Sequence, residues 1–359
     1  VKGPKELFGD KLPTYDSKET LDKLVNFYLD CPEKRDEKIK ELQEIVLNNH
    51  TYQHRAKKIK ELLIGYANTK KITIKTPVPK KEDKFKWGDY HFALNLQKSL
   101  NCYGYLTKVE LLDDWNTFKD SNSDIVIVLR GLSKYDVKTQ HYNIMWNISH
   151  PDMITLDEYE SFDHVYIASL YWVNKIKSLL KVDVDVLLQC TDTKRFYPNY
   201  DENYDTELLF VGNSRLVYRK ILKDLIPTQH DLSVYGDMWD NIIDANYIKG
   251  EHINNKDLSK AYSSTKVLLN DHWDDMREKG FISNRIFDAI ACGSVVVTDH
   301  VKSIEEVLPS VVYYDDPSEL ESKINEALKI GKIDHNIAYE HTYDKRAKTI
   351  LNDYENSLS

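Results

Sequence analysis

The chain has 359 residues, a formal net charge of −9 and 41% hydrophobic residues. This length exceeds one ordinary hydrophobic core and predicts at least two domains, while the negative charge argues against a protein held on nucleic acid through its phosphates. No apolar run approaches the roughly 20 residues that cross a membrane. The four cysteines are scattered without a CxxC pair, which argues against a disulfide or metal framework and favours a reducing compartment. We therefore expect a cytoplasmic protein without a membrane span, and we leave peripheral attachment to the inner face of a membrane open.

A segment with a helical pattern, residues 1–66, contains one half of an internal repeat. HTYQHRAKKI at residues 50–59 and HTYDKRAKTI at residues 341–350 have the same residue at seven of ten positions. Upstream of these pieces, VKGPKEL matches VKSIEEV, and YDSKETL matches YDDPSEL. Internal repeats are strong evidence about architecture. Because the flanking pieces also align, we favour a true duplication over a chance likeness between two charged amphipathic helices.

Residues 71–200 alternate predicted strands with predicted helices. The strands are KITIK, DIVIVLRG, YNIMWNIS, HVYIAS and VDVLLQCTD, and this alternation is typical of a doubly wound parallel sheet. Asp89 and His91 follow the first of these strands, and His150 follows the third. The carboxyl ends of the strands are where such sheets bind ligands. Without further information, Asp89 is more simply interpreted as a helix N-cap.

The polar, aperiodic run at residues 199–207 predicts an interdomain linker. A second alternation of strands and helices extends over residues 206–332, and a last helix is expected within residues 333–359. The sequence therefore predicts an α/β protein with two doubly wound domains.

A loop rich in polar residues follows the first strand of the second domain. The strand LLFV runs into Gly212 and Asn213, and a helix carrying Arg215 and Lys220 is expected next. A glycine after a strand lets backbone N–H groups approach a ligand. The following strand, in LSVYGDMW, ends near Tyr235. Alone, VGNSR is a weak signal, because it lacks both a GxGxxG pattern and a P-loop lysine.

The most informative stretch is MREKGFISNRIFDAIACGSVVVTD, residues 276–299. Ser283 is positioned as an N-cap, Phe287 lies on an apolar face at helical spacing, and Gly293 follows where a left-handed C-cap is needed. The β-branched run after Gly293 predicts a strand buried on both sides. These residues predict one helix–strand unit of a parallel sheet.

Three polar residues at the start of this helix are candidates for ligand binding. Asn284 and Asp288 are four residues apart and share one face, and Arg285 lies between them. A helix N-terminus attracts a diphosphate, an arginine adds bidentate bonds to it, and a carboxylate accepts from ribose hydroxyls. The alternative is a solvated first turn with an Asp–Arg pair, and spacing alone does not decide between them.

The segment GFISNRIFDAIACGSVVVTD resembles the donor-site motif of GT-B glycosyltransferases. It is most similar to the CgeB-like spore-maturation group and its relatives in the glycosyltransferase family 1 (family 4-like) assemblage. The pattern is matched at Gly280, Asn284, Arg285, Phe287, Asp288, Ala291, Cys292 and Gly293. Asp288 departs from it, because glutamate is usual there, and the shorter side chain weakens the expected ribose contact. The resemblance spans roughly residues 71–356.

The resemblance implies two Rossmann-like domains that face a cleft and follow an N-terminal helical extension. Residues 71–200 would form the acceptor-side domain, residues 206–332 the nucleotide-sugar donor domain, and residues 333–359 a helix that packs back on the first domain. Residues 1–66 would be the tail of an upstream glycosyltransferase module, which makes that module an expected partner.

The implied activity is transfer of a sugar from a nucleotide-diphosphate sugar, with UDP-sugars favoured, to a glycan, cell-surface polymer or protein acceptor. The implied donor-binding residues are Gly212, Asn213, Arg215, Lys220, Tyr235, Gly280, Phe281, Asn284, Arg285 and Asp288. Asp89, with His91 and His150 behind it, would be the general base of an inverting enzyme, whereas a retaining enzyme needs none. No cofactor and no metal are expected, because a helix dipole and an arginine would stabilise the diphosphate. Asp274 and Asp275 lie in a polar loop and are not assigned to a metal.

Two other functions fit the same fold. A nucleotide-sugar 2-epimerase needs a set of carboxylates and histidines deep in the cleft, and the sequence does not assign one. A catalytically silent module would serve as a binding or scaffold domain beside an active upstream transferase. Nucleotide binding without sugar hydrolysis or transfer would identify that second case.

Overall fold

The computed structural model describes residues 2–79, 81–82 and 84–358. The chain divides into two compact units, Val1–Thr69 and Lys70–Ser359. The first and last residues of the predicted segments, Val1 and Ser359, lie outside the described residues.

The first unit is helical. Its helices are α1 (Lys2–Phe8), α2 (Lys18–Asp30), α3 (Pro32–Asn49) and α4 (Tyr52–Asn68). The hydroxyls of Ser17 and Thr51 accept hydrogen bonds from backbone N–H groups at the starts of α2 and α4. Pro32 occupies the first turn of α3, where its missing N–H costs no hydrogen bond. None of the side chains from residue 3 to residue 68 is buried. These helices therefore have no hydrophobic core among themselves.

The second unit contains two six-stranded parallel sheets. The first sheet consists of β1 (Lys71–Lys75), β2 (Leu106–Glu110), β3 (Ile125–Arg130), β4 (Tyr142–Asn147), β5 (His164–Ile167) and β6 (Asp183–Val186), in the order β2-β1-β3-β4-β5-β6. The second consists of β7 (Thr206–Val211), β8 (Leu232–Tyr235), β9 (Ile248–Gly250), β10 (Thr265–Asn270), β11 (Val295–Asp299) and β12 (Val312–Tyr314), in the order β12-β11-β10-β7-β8-β9. Read from β9, the second order is that of a Rossmann fold. We refer to the regions built on these sheets as the first lobe and the second lobe.

Helices cover the sheets. They are α5 (Gly88–Cys102), α6 (Leu156–Glu160), α7 (Leu170–Ile176), α8 (Lys220–Leu225), α9 (Leu258–Ser264), α10 (Asp274–Glu278), α11 (Asn284–Ala291), α12 (Ile304–Val307), α13 (Leu320–Ile330) and α14 (Tyr343–Ser357). Every residue of β3 and β11 is buried, as expected of central parallel strands covered on both faces. The predicted architecture of two doubly wound parallel sheets with an N-terminal helical extension is confirmed.

The last helix, α14, follows the second lobe in the chain but packs on the first lobe. Its apolar face joins the cluster that contains Phe92 of α5 and Trp146 of β4. The ring centroids of Tyr343 and Phe92 are 5.0 Å apart, and the Tyr166 hydroxyl donates to Asp353 at 2.6 Å. This contact connects the two lobes at the side of the cleft.

Three features of the fold differ from the sequence prediction. Asp274 and Asp275, expected in a polar loop, begin the helix α10. The helix expected to carry Arg215 begins only at Lys220, because Arg215 and Leu216 have left-handed φ values of 56° and 60°. The strands β2, β9 and β12 were not predicted. Each lies at the edge of its sheet, where partial exposure removes the continuous apolar pattern that identifies a central strand.

No helix in the described part of the chain is long and apolar enough to cross a membrane.

Candidate active site

The candidate site lies where the strand order of the second sheet reverses, between β7 and β10. Gly212 follows β7, and Asn270 ends β10. Arg285, in the first turn of α11, donates from Nη1 to Asn270 Oδ1 at 2.7 Å, and its guanidinium lies 5.7 Å from the centre of the Phe210 ring. A Cβ on Gly212 would lie 3.1 Å from Arg285 Nη2, so a glycine leaves room for the arginine. This reversal point is where open α/β sheets bind ligands.

A pocket of about 200 Å³ beside Arg285 is rich in arginine. It is lined by Gly212, Asn213, Arg215, Arg219, Asp271, His272, Trp273, Met276, Ser283 and Arg285. Arg219 forms an ion pair with Asp271, but within the described residues no carboxylate lies within salt-bridge distance of Arg215 or Arg285. Burial lowers the pKa of Arg285, yet a guanidinium stays charged in proteins. Two cations without a paired carboxylate therefore line this arginine pocket.

The start of α11 adds backbone donors to the arginine pocket. Ser283 occupies the N-cap position as predicted, but its hydroxyl makes no capping bond. In the part of the chain that the structure describes, the N–H groups of Asn284 and Arg285 have no protein acceptor. Free N–H groups at a helix start, next to arginine, are chemically suited to an anion such as a diphosphate.

A buried histidine holds the backbone at this helix start. The N–H of Ser283 donates to His272 Nε2 at 2.9 Å, so Nε2 carries no proton and Nδ1 does. His272 Nδ1 in turn donates to Asp299 Oδ1 at 2.8 Å, and both side chains are buried. The pair therefore sets the position of the residue that precedes α11, and His272 itself lines the arginine pocket.

Asp288 is bound by two neighbouring donors. The Thr191 hydroxyl donates to Oδ1 at 2.7 Å, and Asn284 Nδ2 donates to Oδ2 at 3.0 Å. Burial raises the pKa of Asp288 to about 7, although the Thr191 hydrogen bond and the charge of Arg195 oppose the shift. A solvated first turn was the alternative that the sequence left open for the start of α11. The structure instead leaves Asp288 half-buried and gives it internal partners.

A larger cleft of about 300 Å³ adjoins the arginine pocket and has walls from both lobes. The second lobe contributes Gly212, Asn213, Tyr235, Gly236, Asn284 and Asp288, and the first lobe contributes Asp89, His91, Phe92 and Ser149. Gly212 and Asn213 line both cavities, so the cavities are neighbours. The predicted catalytic residues Asp89 and His91 therefore line the same cleft as several of the predicted donor-binding residues.

Asp89 lies in the first turn of α5, half-buried at the cleft. Trp87, not Asp89, occupies the N-cap position. Burial raises the pKa of Asp89, and the charges of Arg215 and His150 oppose that shift. A carboxyl with a raised pKa in a cleft, facing cations, is suited to take up a proton.

The two predicted histidines differ in their surroundings. His91 lines the cleft, and its Nε2 donates to the carbonyl oxygen of Phe85 at 2.9 Å. Burial lowers the pKa of His91, which favours a neutral ring with Nδ1 free of a proton. His150 has a left-handed φ of 50°, and its Nδ1 lies 3.5 Å from Asp275 Oδ2 in α10. His150 therefore forms a contact between the lobes and lines neither cavity.

Lys220 lies away from both cavities. Its ammonium group pairs with Asp224 and lies 5.2 Å from the centre of the Tyr314 ring. It lines a separate cavity near the ends of β11 and β12. The family resemblance implied a position beside the donor for Lys220, and the structure does not place it there.

Gly280 and Phe281 lie at the contact between the lobes. Gly280 has a φ of 76°, and a Cβ there would lie 2.8 Å from Ser169 Oγ. The Ser169 hydroxyl donates to the carbonyl oxygen of Lys279 at 2.6 Å. Phe281 is fully buried in the apolar cluster beneath β3 and β5. The structure therefore gives both residues a packing position outside the cleft and the arginine pocket.

Three residues near the ligand-binding surfaces were not singled out from the sequence. Asn270 ends a buried strand, and that position was a usable signal. Gly236 has a φ of 150°, and a Cβ there would lie 2.1 Å from the Gly212 carbonyl oxygen, so the two loops touch. The glycine after β8 was also a usable signal. Thr191 lies 97 positions before Asp288, and nothing in the sequence connects them.

Among the described residues, no three His, Cys, Asp or Glu side chains are grouped so that they could hold a metal ion. Asp274 pairs with Arg277 at 2.8 Å, and Asp275 faces His150.

Two doubly wound parallel lobes with a cleft between them match the GT-B architecture of solved glycosyltransferases. The chain belongs to the glycosyl transferase-like family, whose sequence model matches residues 2–61 and 215–352. The predicted glycosyltransferase is thereby confirmed. No curated protein sequence matches the chain.

Solved structures of low sequence identity share the fold. Sucrose-phosphate synthase from Thermosynechococcus elongatus has a TM-score of 0.59 and 12% identity, covering 80% of this chain and 99% of its own. AviGT4, a glycosyltransferase involved in avilamycin A biosynthesis, has a TM-score of 0.54 and 14% identity, covering 80% and 98%. A T4 phage enzyme, BGT, in complex with UDP and Mn²⁺, has a TM-score of 0.50 and 13% identity, covering 80% and 99%.

Proposed function

We propose that the protein transfers a sugar from a UDP-sugar to a hydroxyl group of a glycan, cell-surface polymer or protein. The arginine pocket carries this proposal, because Arg215, Arg285 and the free N–H groups of α11 are suited to a diphosphate. A diphosphate there would direct the ribose towards Asp288 and leave the sugar in the cleft near Asp89. UDP is favoured because the T4 phage enzyme of the same fold binds it.

In the proposed reaction the bond between the anomeric carbon and the diphosphate breaks. The acceptor oxygen forms the new bond to that carbon, and its proton passes to Asp89 if the reaction inverts configuration. Negative charge grows on the departing diphosphate and is stabilised by the two arginines and the helix start. Each residue thus acts on a different part of the transition state.

Replacing Arg285 with alanine should weaken UDP binding about tenfold to hundredfold, because the lost hydrogen bond joins two charged groups. Isothermal titration calorimetry with UDP measures this directly. Lys220→Ala removes the same charge from the same lobe, and its affinity should equal that of the parent. An Arg285→Ala protein that stays folded and binds UDP as tightly as the parent would refute the proposed diphosphate site.

UDP affinity should rise with pH through the ionisation of Asp288. The pKa of about 7 lies above the usual 3.8, so the carboxylate that accepts a ribose hydroxyl forms mainly between about pH 6 and pH 8. A hydrogen bond to a charged acceptor exceeds one to a neutral acceptor by roughly 1 kcal/mol, which predicts an approximately fivefold gain. Folding stability should change in the opposite direction, because a raised folded pKa means that stability is lost as pH rises through it.

Asp288→Asn provides the control for this pH dependence. The asparagine side chain cannot ionise. The difference between the two proteins in how UDP affinity changes with pH therefore measures the contribution of Asp288. Calorimetric titrations at pH 6, 7 and 8 on both proteins separate this part from the titration of UDP itself. Equal slopes in the two proteins would exclude a role for Asp288 ionisation.

We further propose that transfer needs no metal ion, because arginine and backbone donors are available to the diphosphate. Initial rates of UDP release from a UDP-sugar should be unchanged by EDTA. Loss of activity in EDTA with recovery on adding Mn²⁺ or Mg²⁺ would contradict this proposal. Asp274 and Asp275 would then become the candidate metal ligands. The fold neighbour with bound Mn²⁺ makes the test worthwhile.

The helical unit supports a second proposal about partners, namely that a further glycosyltransferase module precedes it. The family model matches residues 2–61 separately from residues 215–352, and the repeat aligns the two segments. The pattern of the α11 motif favours placing both modules in the CgeB-like group. Residues 2–61 would then be the end of the preceding module.

A further inference from the structure

In the second unit, α14 shows how the repeated segment docks on a first lobe. The side chains that it buries are Tyr343, Ala347, Ile350, Leu351 and Tyr354. Arg346 adds a polar contact, because its Nε donates to the Leu188 carbonyl oxygen at 2.8 Å. Its Nη2 also lies 3.0 Å from His341 Nδ1. The helix is therefore held by its apolar face and by an arginine that donates to a backbone carbonyl just after β6.

In the first unit, α4 repeats the internal geometry of α14. The Thr51 hydroxyl caps α4 as the Thr342 hydroxyl caps α14. Arg55 Nη2 lies 2.9 Å from His50 Nδ1, which matches the Arg346–His341 contact. Both helices therefore begin with a threonine N-cap, and both have an arginine side chain beside the histidine that precedes the cap. The surroundings of the two helices differ.

The apolar face of α4 is exposed where that of α14 is buried. At the positions of Tyr343, Ile350 and Tyr354, α4 has Tyr52, Ile59 and Leu63, which are 95%, 56% and 63% exposed. Ala56 corresponds to Ala347, and one position differs in character, because Lys60 replaces Leu351. Every residue of α4 is exposed. We define Tyr52, Ala56, Ile59 and Leu63 as the α4 face.

We propose that the α4 face docks on the first lobe of a glycosyltransferase module that precedes it in the same polypeptide. This rests on the preceding module proposed above and specifies the surface that meets it. The binding surface on that preceding module would be a groove beside a helix equivalent to α5, lined by an aromatic pair equivalent to Phe92 and Trp146. Arg55 would donate to a backbone carbonyl there, as Arg346 does to that of Leu188.

A second copy of this chain fits the α4 face less well. The matching groove on the first lobe is filled by α14, whose Tyr343 and Ile350 are buried in it. A second copy could accept α4 only by releasing its own helix. The proposed partner of the α4 face is therefore a first lobe whose groove holds no other terminal helix.

The test replaces the sequence of α14 with that of α4, so that the α4 sequence has to pack in the groove that α14 occupies. In the full chain, residues 50–66 replace residues 341–357, and the melting temperature (Tm) is measured by circular dichroism. The loss of Leu351 and of the Tyr166–Asp353 bond should lower Tm by roughly 10 °C or less. The matched control is the same chimera with Tyr52→Ser, Ile59→Ser and Leu63→Ser in the transplanted copy, and its Tm should fall by at least about 12 °C more.

Two results would overturn the proposal. One is equal Tm for the chimera and its serine control, which would show that α4 does not recognise a first lobe. The other comes from light scattering on the unaltered chain: a dimer that becomes a monomer in Tyr52→Ser/Leu63→Ser would make a second copy the occupant. A monomer in both proteins supports the proposal. Because these measurements read stability and mass, they stay informative even if UDP does not bind.

Discussion

Asp89→Asn should lower the rate of sugar transfer by about 10²–10⁴-fold while leaving UDP affinity unchanged. A positioned general base contributes this much to a reaction, and asparagine fills the same volume without accepting a proton. Asp89 lies in the first lobe, whereas the arginine pocket lies in the second, so the substitution removes no donor contact. UDP release from a UDP-sugar and calorimetric UDP binding measure the two quantities separately.

The pH profile and a matched control make this result specific. Because burial raises the pKa of Asp89, the rate should rise with pH as the carboxyl ionises, and this limb should be absent in Asp89→Asn. Asp157→Asn changes the same charge in the first turn of another first-lobe helix, α6, at an exposed position, and should behave as the parent. A rate loss below tenfold would remove Asp89 from the mechanism and would favour a retaining reaction.

Phe287→Ala should lower the free energy of unfolding by roughly 3–5 kcal/mol, the usual cost of a large cavity in a core. Phe287 is 1% exposed and packs in the main cluster of the second lobe. Its ring centroid lies 5.1 Å from that of His341, so the cavity also loosens the approach to α14. The measurement is the midpoint of urea unfolding together with Tm.

The control for this substitution is Phe118→Ala. Phe118 is 91% exposed, so its removal should change stability by less than about 0.5 kcal/mol. If Phe287→Ala also costs less than about 1 kcal/mol, α11 is not anchored by its apolar face. The positions of Arg285 and Asp288 would then need another explanation.

The α11–β11 unit was predictable because its signals are local. Ser283 at the cap position, the apolar spacing around Phe287 and the β-branched run after Gly293 all act within one turn or one strand. The structure has this helix at Asn284–Ala291 and this strand at Val295–Asp299. The positions of Asn284, Arg285 and Asp288 follow from the same periodicity, since the apolar residues occupy the opposite face of the helix.

The sequence by itself determined the two doubly wound lobes, the helix at the proposed donor site and the repeat that α4 and α14 share. Only the tertiary structure decided what surrounds them. The Thr191–Asp288 hydrogen bond, and the cleft that Asp89 and Asp288 line together, bring together segments that are far apart in the sequence. Neither spacing nor propensity encodes such distances. The same reason separates Lys220 from Arg215: the left-handed turn at Arg215 and Leu216 directs nearby basic side chains to different cavities.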